Sequence, residues 1–246
     1  MQTTIKTARA TRDPFTVLHA EVNACDRCVR LRTYCGEVAR EKRRSFLEWD
    51  YWGKPVAGFG DPDARLWIIG LAPAAHGANR TGRVFTGDRS GDFLFAGLHR
   101  VGYANQPTSV RRDDGLALRD CYISATARCA PPGNKPLPIE VANCSGFLDR
   151  EWELLRRKRV ILALGGIAWD AALALASRNG CDVATPKPKF GHGALVQLCA
   201  SLHLVGSYHV SQQNTFTGRL TNAMFDAVLR RCHELSESQA KTKSKT

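Results

Sequence analysis

Four short apolar runs, separated by stretches with helical periodicity, constrain the fold more than any other feature of the chain. They fall at residues 66–69, 121–125, 160–164 and 203–208. The first reads Leu66, Trp67, Ile68, Ile69, the β-branched and aromatic content of a strand buried on both faces. Helices are expected over residues 90–101, from about Pro138 onward, over 167–177 and over 221–235, with Pro138 suited to a first turn. This alternation predicts a single α/β domain with a central four-stranded parallel sheet flanked by helices on both faces. With 246 residues, 43% of them hydrophobic, the chain can bury a substantial core. Residues 1–17 are expected to be a flexible arm, 18–235 the folded domain and 236–246 a disordered Ser-, Lys- and Thr-rich tail.

Lys and Arg total 35 against 23 Asp and Glu, a net charge of +12. Such a balance suits a polyanionic partner, because cationic side chains displace counterions from phosphates. No apolar stretch approaches the ~20 residues needed to span a bilayer, and the first residues lack the apolar core of a secretory signal. A cytoplasmic protein with no membrane partner is expected.

The first strand runs into a long glycine-rich loop, GLAPAAHGANRTGRVFTGD, from Gly70 to Asp88. Ligands in open α/β sheets collect outside the carboxyl ends of strands, and a backbone of this kind can approach one closely. The loop carries His76, Asn79, Arg80, Arg83, Phe85 and Asp88, and it is too long for a simple connector. Asp88 also has the look of a helix N-cap, and capping and catalysis can coexist. Phe85 also suits a core position.

Nine cysteines without an export signal argue against a disulfide framework. Cys25 and Cys28 form a CxxC half-site inside a strongly cationic segment, and Cys129 and Cys144 follow 15 residues apart. Four thiolates suit Zn²⁺ or an iron–sulfur cluster, and spacing alone does not separate the two. Cys35 and Cys121 are spare thiols, while Cys199 and Cys232 are expected in the core.

Three motifs in order, the Gly70–Asp88 loop, the RCAPPGNKP turn and the HVSQQNTFTGRLT segment, resemble the family 5 uracil-DNA glycosylases over about residues 25–232. The resemblance implies the uracil-DNA glycosylase fold. It also implies that Cys25, Cys28, Cys129 and Cys144 hold a [4Fe-4S] cluster tying the N-terminal segment to the sheet. Asp88 matches the aspartate that activates or positions water, Phe85 the aromatic that stacks on an extruded base, and His209 the donor to the base O2. Asn134 is a further candidate for a polar contact with water or base. Gly70, Ala72 and Ser124 are expected to border the base with Phe85. Arg80, Arg83, Ser211, Gln213, Asn214 and Arg219 are expected to meet DNA.

One departure bears on specificity. Related enzymes read the uracil edge with an asparagine, and this region here is Ser124, Ala125, Thr126, Ala127. Breadth is therefore expected, over uracil, hypoxanthine and ethenocytosine in double-stranded DNA, by a monomer that leaves an abasic site. The competing readings are a non-enzymatic iron–sulfur damage-binding module and a narrow, family 4-like uracil glycosylase. A binding module needs neither Asp88 nor His209.

Overall fold

The computed structural model describes residues 13–238. In chain order the helices are α1 (Pro14–Asn23), α2 (Val29–Glu41), α3 (Ala78–Thr81), α4 (Arg89–Val101), α5 (Pro138–Leu154), α6 (Gly166–Arg178), α7 (Gln212–Thr215) and α8 (Asn222–Ser238). The strands are β1 (Phe59–Gly60), β2 (Leu66–Gly70), β3 (Cys121–Ala125), β4 (Val160–Leu164), β5 (Leu195–Cys199) and β6 (Leu202–Ser207).

The strands form one sheet in the order β1-β3-β2-β4-β6-β5. The four expected strands are its parallel centre, with Leu66 opposite both Cys121 and Val160. The sheet is nonetheless six-stranded and mixed, not four-stranded and parallel, because β1 and β5 add antiparallel edges. Neither edge carries a buried apolar run. β1 is two residues long, and β5, though apolar in composition (LVQLC), buries only Leu198 and exposes Leu195 and Gln197 at the sheet margin.

Side chains alternate across β2. Leu66 and Ile68 enter the layer formed with α4 and α8, and Trp67 and Ile69 enter the layer formed with α5 and α6. On the first face Gly97 lets α4 approach α8, since a Cβ there would lie 2.8 Å from the Phe225 ring. The Arg100–Asp226 pair, at 2.7 Å, ties the same two helices. On the second face Trp67 Nε1 donates to Ser124 Oγ at 2.7 Å inside the core.

Two boundaries differ from expectation. Residues 14–17, assigned to the arm, open α1, where Asp13 Oδ2 accepts the Thr16 amide at 2.9 Å and Pro14 occupies the first turn. Residues 236–238, assigned to the tail, continue α8, and Ser236 is buried. The remainder of the expected arm and tail, residues 1–12 and 239–246, lies outside the described residues. Cys232 is in the core, whereas Cys199 is only half-buried at the end of β5.

Candidate active site

The loops leaving the carboxyl ends of β2, β3 and β6 meet around a cleft of about 640 Å³. It is lined by Leu71, Ala72, Ala74, Phe85 and Asp88 from the first loop, by Gly133 to Lys135 from the second, and by His209 and Ser211 to Asn214 from the third. The three sequence motifs are thus brought together by the parallel order of the sheet, at the place where such sheets bind ligands.

The first loop stays in register with β3 past the strand end: Thr126 N donates to Gly70 O and Ala127 N to Leu71 O, each at 2.9 Å. Phe85 then takes a left-handed backbone conformation, φ 51°, which a bulky residue rarely adopts. This turn lays its ring over Gly70, where a Cβ would come within 2.7 Å of Cζ. Gly70 therefore supports the ring from below and does not line the cleft, and the ring borders the cleft from a largely buried position.

Asp88 caps α4, its Oδ1 accepting the Gly91 amide at 3.0 Å. Its Oδ2 lies against Gly77, where any Cβ would overlap it. Burial pushes the carboxyl above the ordinary range of aspartate, opposed by the amides of Gly91 and Ser90. Cap and cleft-facing carboxylate are thus one residue in two roles. His209 stands across the cleft, its ring centroid 6.2 Å from that of Phe85. Asn214 Nδ2 fixes its backbone by donating to His209 O at 2.8 Å. Burial pushes the imidazole down to about 4, so it is neutral at pH 7 and one ring nitrogen carries a proton to donate.

Asn134 sits on an exposed turn with φ 57°, beside Gly133 and Lys135. Ser211 precedes the short α7 and Gln213 and Asn214 lie within it on the cleft rim, and Phe216 follows with 74% of its surface exposed. Arg219 is exposed and stacks its guanidinium over Tyr208 at 4.6 Å. Arg89, not singled out by the sequence, lines the cleft mouth; its signal was adjacency to Asp88.

Three expected site residues turn inward. Ser124 is fully buried under Trp67 and cannot border a base. Arg83 is saturated by its own chain: Nε donates to Thr86 Oγ1 at 2.9 Å, Nη1 to Arg112 O at 3.1 Å, and Nη2 to both Asp114 oxygens at 2.8 and 2.9 Å. Arg80 is 3% exposed and bonds two carbonyls of its own loop. Arg80 and Arg83 are expected at the DNA, but in this structure both guanidiniums are buried and bond within the protein, with only Arg80 Nη1 lacking a partner, and neither lines the cleft.

The cysteines Cys25, Cys28, Cys129 and Cys144 lie where α1, α2 and α5 meet the turn after β3. N–H donors face three of the sulfurs. Arg27 Nε donates to Cys25 Sγ at 3.3 Å and Asn143 Nδ2 to Cys28 Sγ at 3.4 Å, and the Arg128 backbone N–H bonds Cys144. Burial pushes Cys144 up to about 11, and hydrogen bonding with Cys35 followed by burial pushes Cys129 higher still. Arg128 is 1% exposed, paired through Nη2 with Glu151 at 2.6 Å, while its Nε and Nη1 have no partner. The Arg128 charge acts on Cys144, and its orphaned donors fit an anionic thiolate-bound group on that side of the cysteine set. Among the described residues, no three His, Cys, Asp or Glu, these cysteines included, are grouped closely enough to hold a metal ion. Also among them, no helix is long and apolar enough to cross a membrane.

A cleft with these occupants, at the carboxyl edge of this sheet, defines a class. Residues 57–232 match the family described as the uracil DNA glycosylase superfamily, and the chain belongs to it. A type-5 uracil-DNA glycosylase of Mycobacterium bovis is 53% identical over 220 residues, 89% of this chain and 81% of that protein. One from Thermus thermophilus is 47% identical over 216 residues, 87% of this chain and 95% of that protein. A type-4 uracil-DNA glycosylase of Thermotoga maritima is 34% identical over 114 residues, covering 46% and 51%. Within the superfamily the chain groups with the type-5 members.

Proposed function

We propose that the protein is a monofunctional DNA glycosylase that hydrolyses the N-glycosidic bond of uracil in DNA and leaves an abasic site. The observation that supports this most is the placement of Asp88, Phe85 and His209 around one cleft. An extruded base stacks on Phe85. As the bond from the sugar to the base breaks, its electron pair moves onto the base, and neutral His209 donates a hydrogen bond to the O2 that gains negative charge. Water adds to the sugar carbon and gives up its proton towards Asp88, whose raised affinity for protons suits a general base.

Asn134 and Gln212 on the rim offer polar contacts to the base edge. With no amide side chain at residues 124–127 to read uracil alone, and about 640 Å³ of space, the cleft suits hypoxanthine and ethenocytosine as well. Arg89, Lys135, Ser211, Gln213, Asn214 and Arg219 face double-stranded DNA, and exposed Phe216 is placed to fill the gap left in the stack. One chain encloses one nucleotide, so a monomer suffices, working on cytoplasmic nucleoid DNA.

Cys25, Cys28, Cys129 and Cys144 would hold a [4Fe-4S] cluster, with Arg128 supplying positive charge. When bound, the cluster supplies a rigid anionic tie between the N-terminal helices and the sheet, and hydrolysis of the base needs no electron from it.

The test uses labelled duplexes containing uracil, hypoxanthine or ethenocytosine, followed by alkali. Cleavage only after alkali, abolished in Asp88→Asn, is the expected result. Binding without release of any base would return the protein to the damage-binding class.

A further inference from the structure

Arg80 has the composition of a DNA contact, yet the structure buries it in a corner formed by two aromatic rings. Its guanidinium carbon lies 3.9 Å from the ring centroid of Phe46 and 3.9 Å from that of Trp49. The two rings meet at 80° with their centroids 6.3 Å apart, so they form a corner around the guanidinium. Lysine fits such a corner less well, because its ammonium has neither a planar face to lay on a ring nor a fork to reach two carbonyls at once. Within the corner Nε donates to His76 O at 2.8 Å and Nη2 to Gly87 O at 2.7 Å.

Those two carbonyls belong to the residues beside the Asp88 site. His76 precedes Gly77, whose bare Cα the Asp88 carboxylate rests against, and Gly87 precedes Asp88 itself. Gly87 has φ 81°, and a Cβ there would stand 2.5 Å from Arg80 Nη2, so only glycine admits the contact. Thr81 adds to the same grip, its Oγ1 lying 3.2 Å from Gly77 O and 3.1 Å from Thr86 O.

We propose that Arg80 is a positioning residue for the reaction: held against Phe46 and Trp49, it ties the carbonyl before Gly77 to the carbonyl before Asp88, a clamp that fixes the carboxylate over the cleft. This rests on the reading of Asp88 as the water-positioning group. Arg80 also places a buried positive charge near that carboxylate. The other charged or titratable groups facing Asp88 are Asp92 and Arg89 from α4 and His209 and Lys135 across the cleft.

Single-turnover release of uracil from duplex DNA by the full chain, measured from pH 5 to 9 in wild type, Arg80→Met, Arg80→Lys and Asp88→Asn, tests it. Arg80→Met should lower the rate about 100-fold with duplex affinity within about twofold. Its acid limb should move to higher pH, because loss of the cation makes Asp88 easier to protonate. Arg80→Lys should lose rate but keep the wild-type limb. A folded Arg80→Met with wild-type rate and limb overturns the clamp. If Arg80→Met does not fold, Phe46→Leu decides, since it loosens the corner and keeps the charge: a lowered rate supports the clamp and an unchanged rate overturns it. Activity in Asp88→Asn would instead sink the reading of Asp88, and loss there with full activity in Arg80→Met would sink only the clamp.

Discussion

Gly77 stands directly against the carboxylate of Asp88, with no room between them for a Cβ. Gly77 has φ −101° and ψ −104°, so its φ is not one reserved for glycine and the main obstacle to a side chain is the carboxylate itself. Gly77→Ala is expected to leave the fold intact and push Asp88 off its position. Release of uracil should fall at least tenfold, by about the cost of a misplaced group, while the melting temperature stays within a few degrees. A variant with normal turnover would show that Asp88 can act from a second position.

Much of this site is legible in the sequence. Asp88, Phe85 and His209 follow buried apolar strands, and parallel order sends their loops to one edge. What the sequence does not convey is direction. Arg83 and Arg80 have the composition of DNA contacts, but Asp114 lies 31 residues after Arg83, and Phe46 and Trp49 lie more than 30 before Arg80. Nothing in the local pattern announces pairing across such distances. Ser124 departs from expectation for a simpler reason: side chains alternate along β3, and its hydroxyl is claimed by Trp67 on the core side. Of the edges, β1 is only two residues long, and β5 (LVQLC) is apolar but ends three residues before β6, with no Gly, Pro, Asn or Asp between them to mark a turn.

His209 is held neutral, and this sets two outcomes. His209→Gln should slow base release by about 100-fold, the usual loss for one donor to a developing anion, with duplex affinity within about twofold. The second concerns stability. An unfolded histidine titrates near 6.5 and His209 near 4, so on acidification the unfolded chain binds its proton first. Stability is therefore lost as pH falls from about 6.5 to about 4, and above 6.5 the residue contributes no pH dependence. His19, His76, His192 and His203 are also lowered and add to the trend in both proteins. Between pH 7.5 and 4.5 the urea midpoint should drop further for wild type than for His209→Gln. Equal drops would show that the imidazole is not held neutral by burial.

Arg83 and Asp114 form an ion pair with side chains only 4% and 14% exposed, joining the motif loop to the segment before β3. Asp114 is partly exposed and keeps the amides of Val110, Arg111 and Leu116, so Arg83→Ala should destabilise the protein by about 1 to 3 kcal/mol. Its effect on DNA binding should be small. Removing a side chain that binds a phosphate lowers the slope of log affinity against log salt by about one. Lys135→Ala and Arg89→Ala, both at the cleft, should lower it in this way, and Arg83→Ala should not. A lowered slope in a folded Arg83→Ala would place its guanidinium on the DNA after all.

The four cysteines give the last test, read on the protein itself and not on its activity. Cys25, Cys28, Cys129 and Cys144 come from three separate parts of the chain, so a shared group would link α1 and α2 to α5 and the turn after β3. Purified under oxygen exclusion, wild type should carry iron and acid-labile sulfide, and alanine at any one of the four should remove most of both. Cys181→Ala, a half-buried thiol in the loop after α6, should keep them. Arg128→Met should fold less stably, because Glu151 loses its partner, and should release iron faster to a chelator, because the buried cation acting on Cys144 is gone. Wild-type protein with zinc and no sulfide would instead assign the site to a single ion. An Arg128→Met that holds iron as long as wild type would leave its orphaned donors serving some other anion.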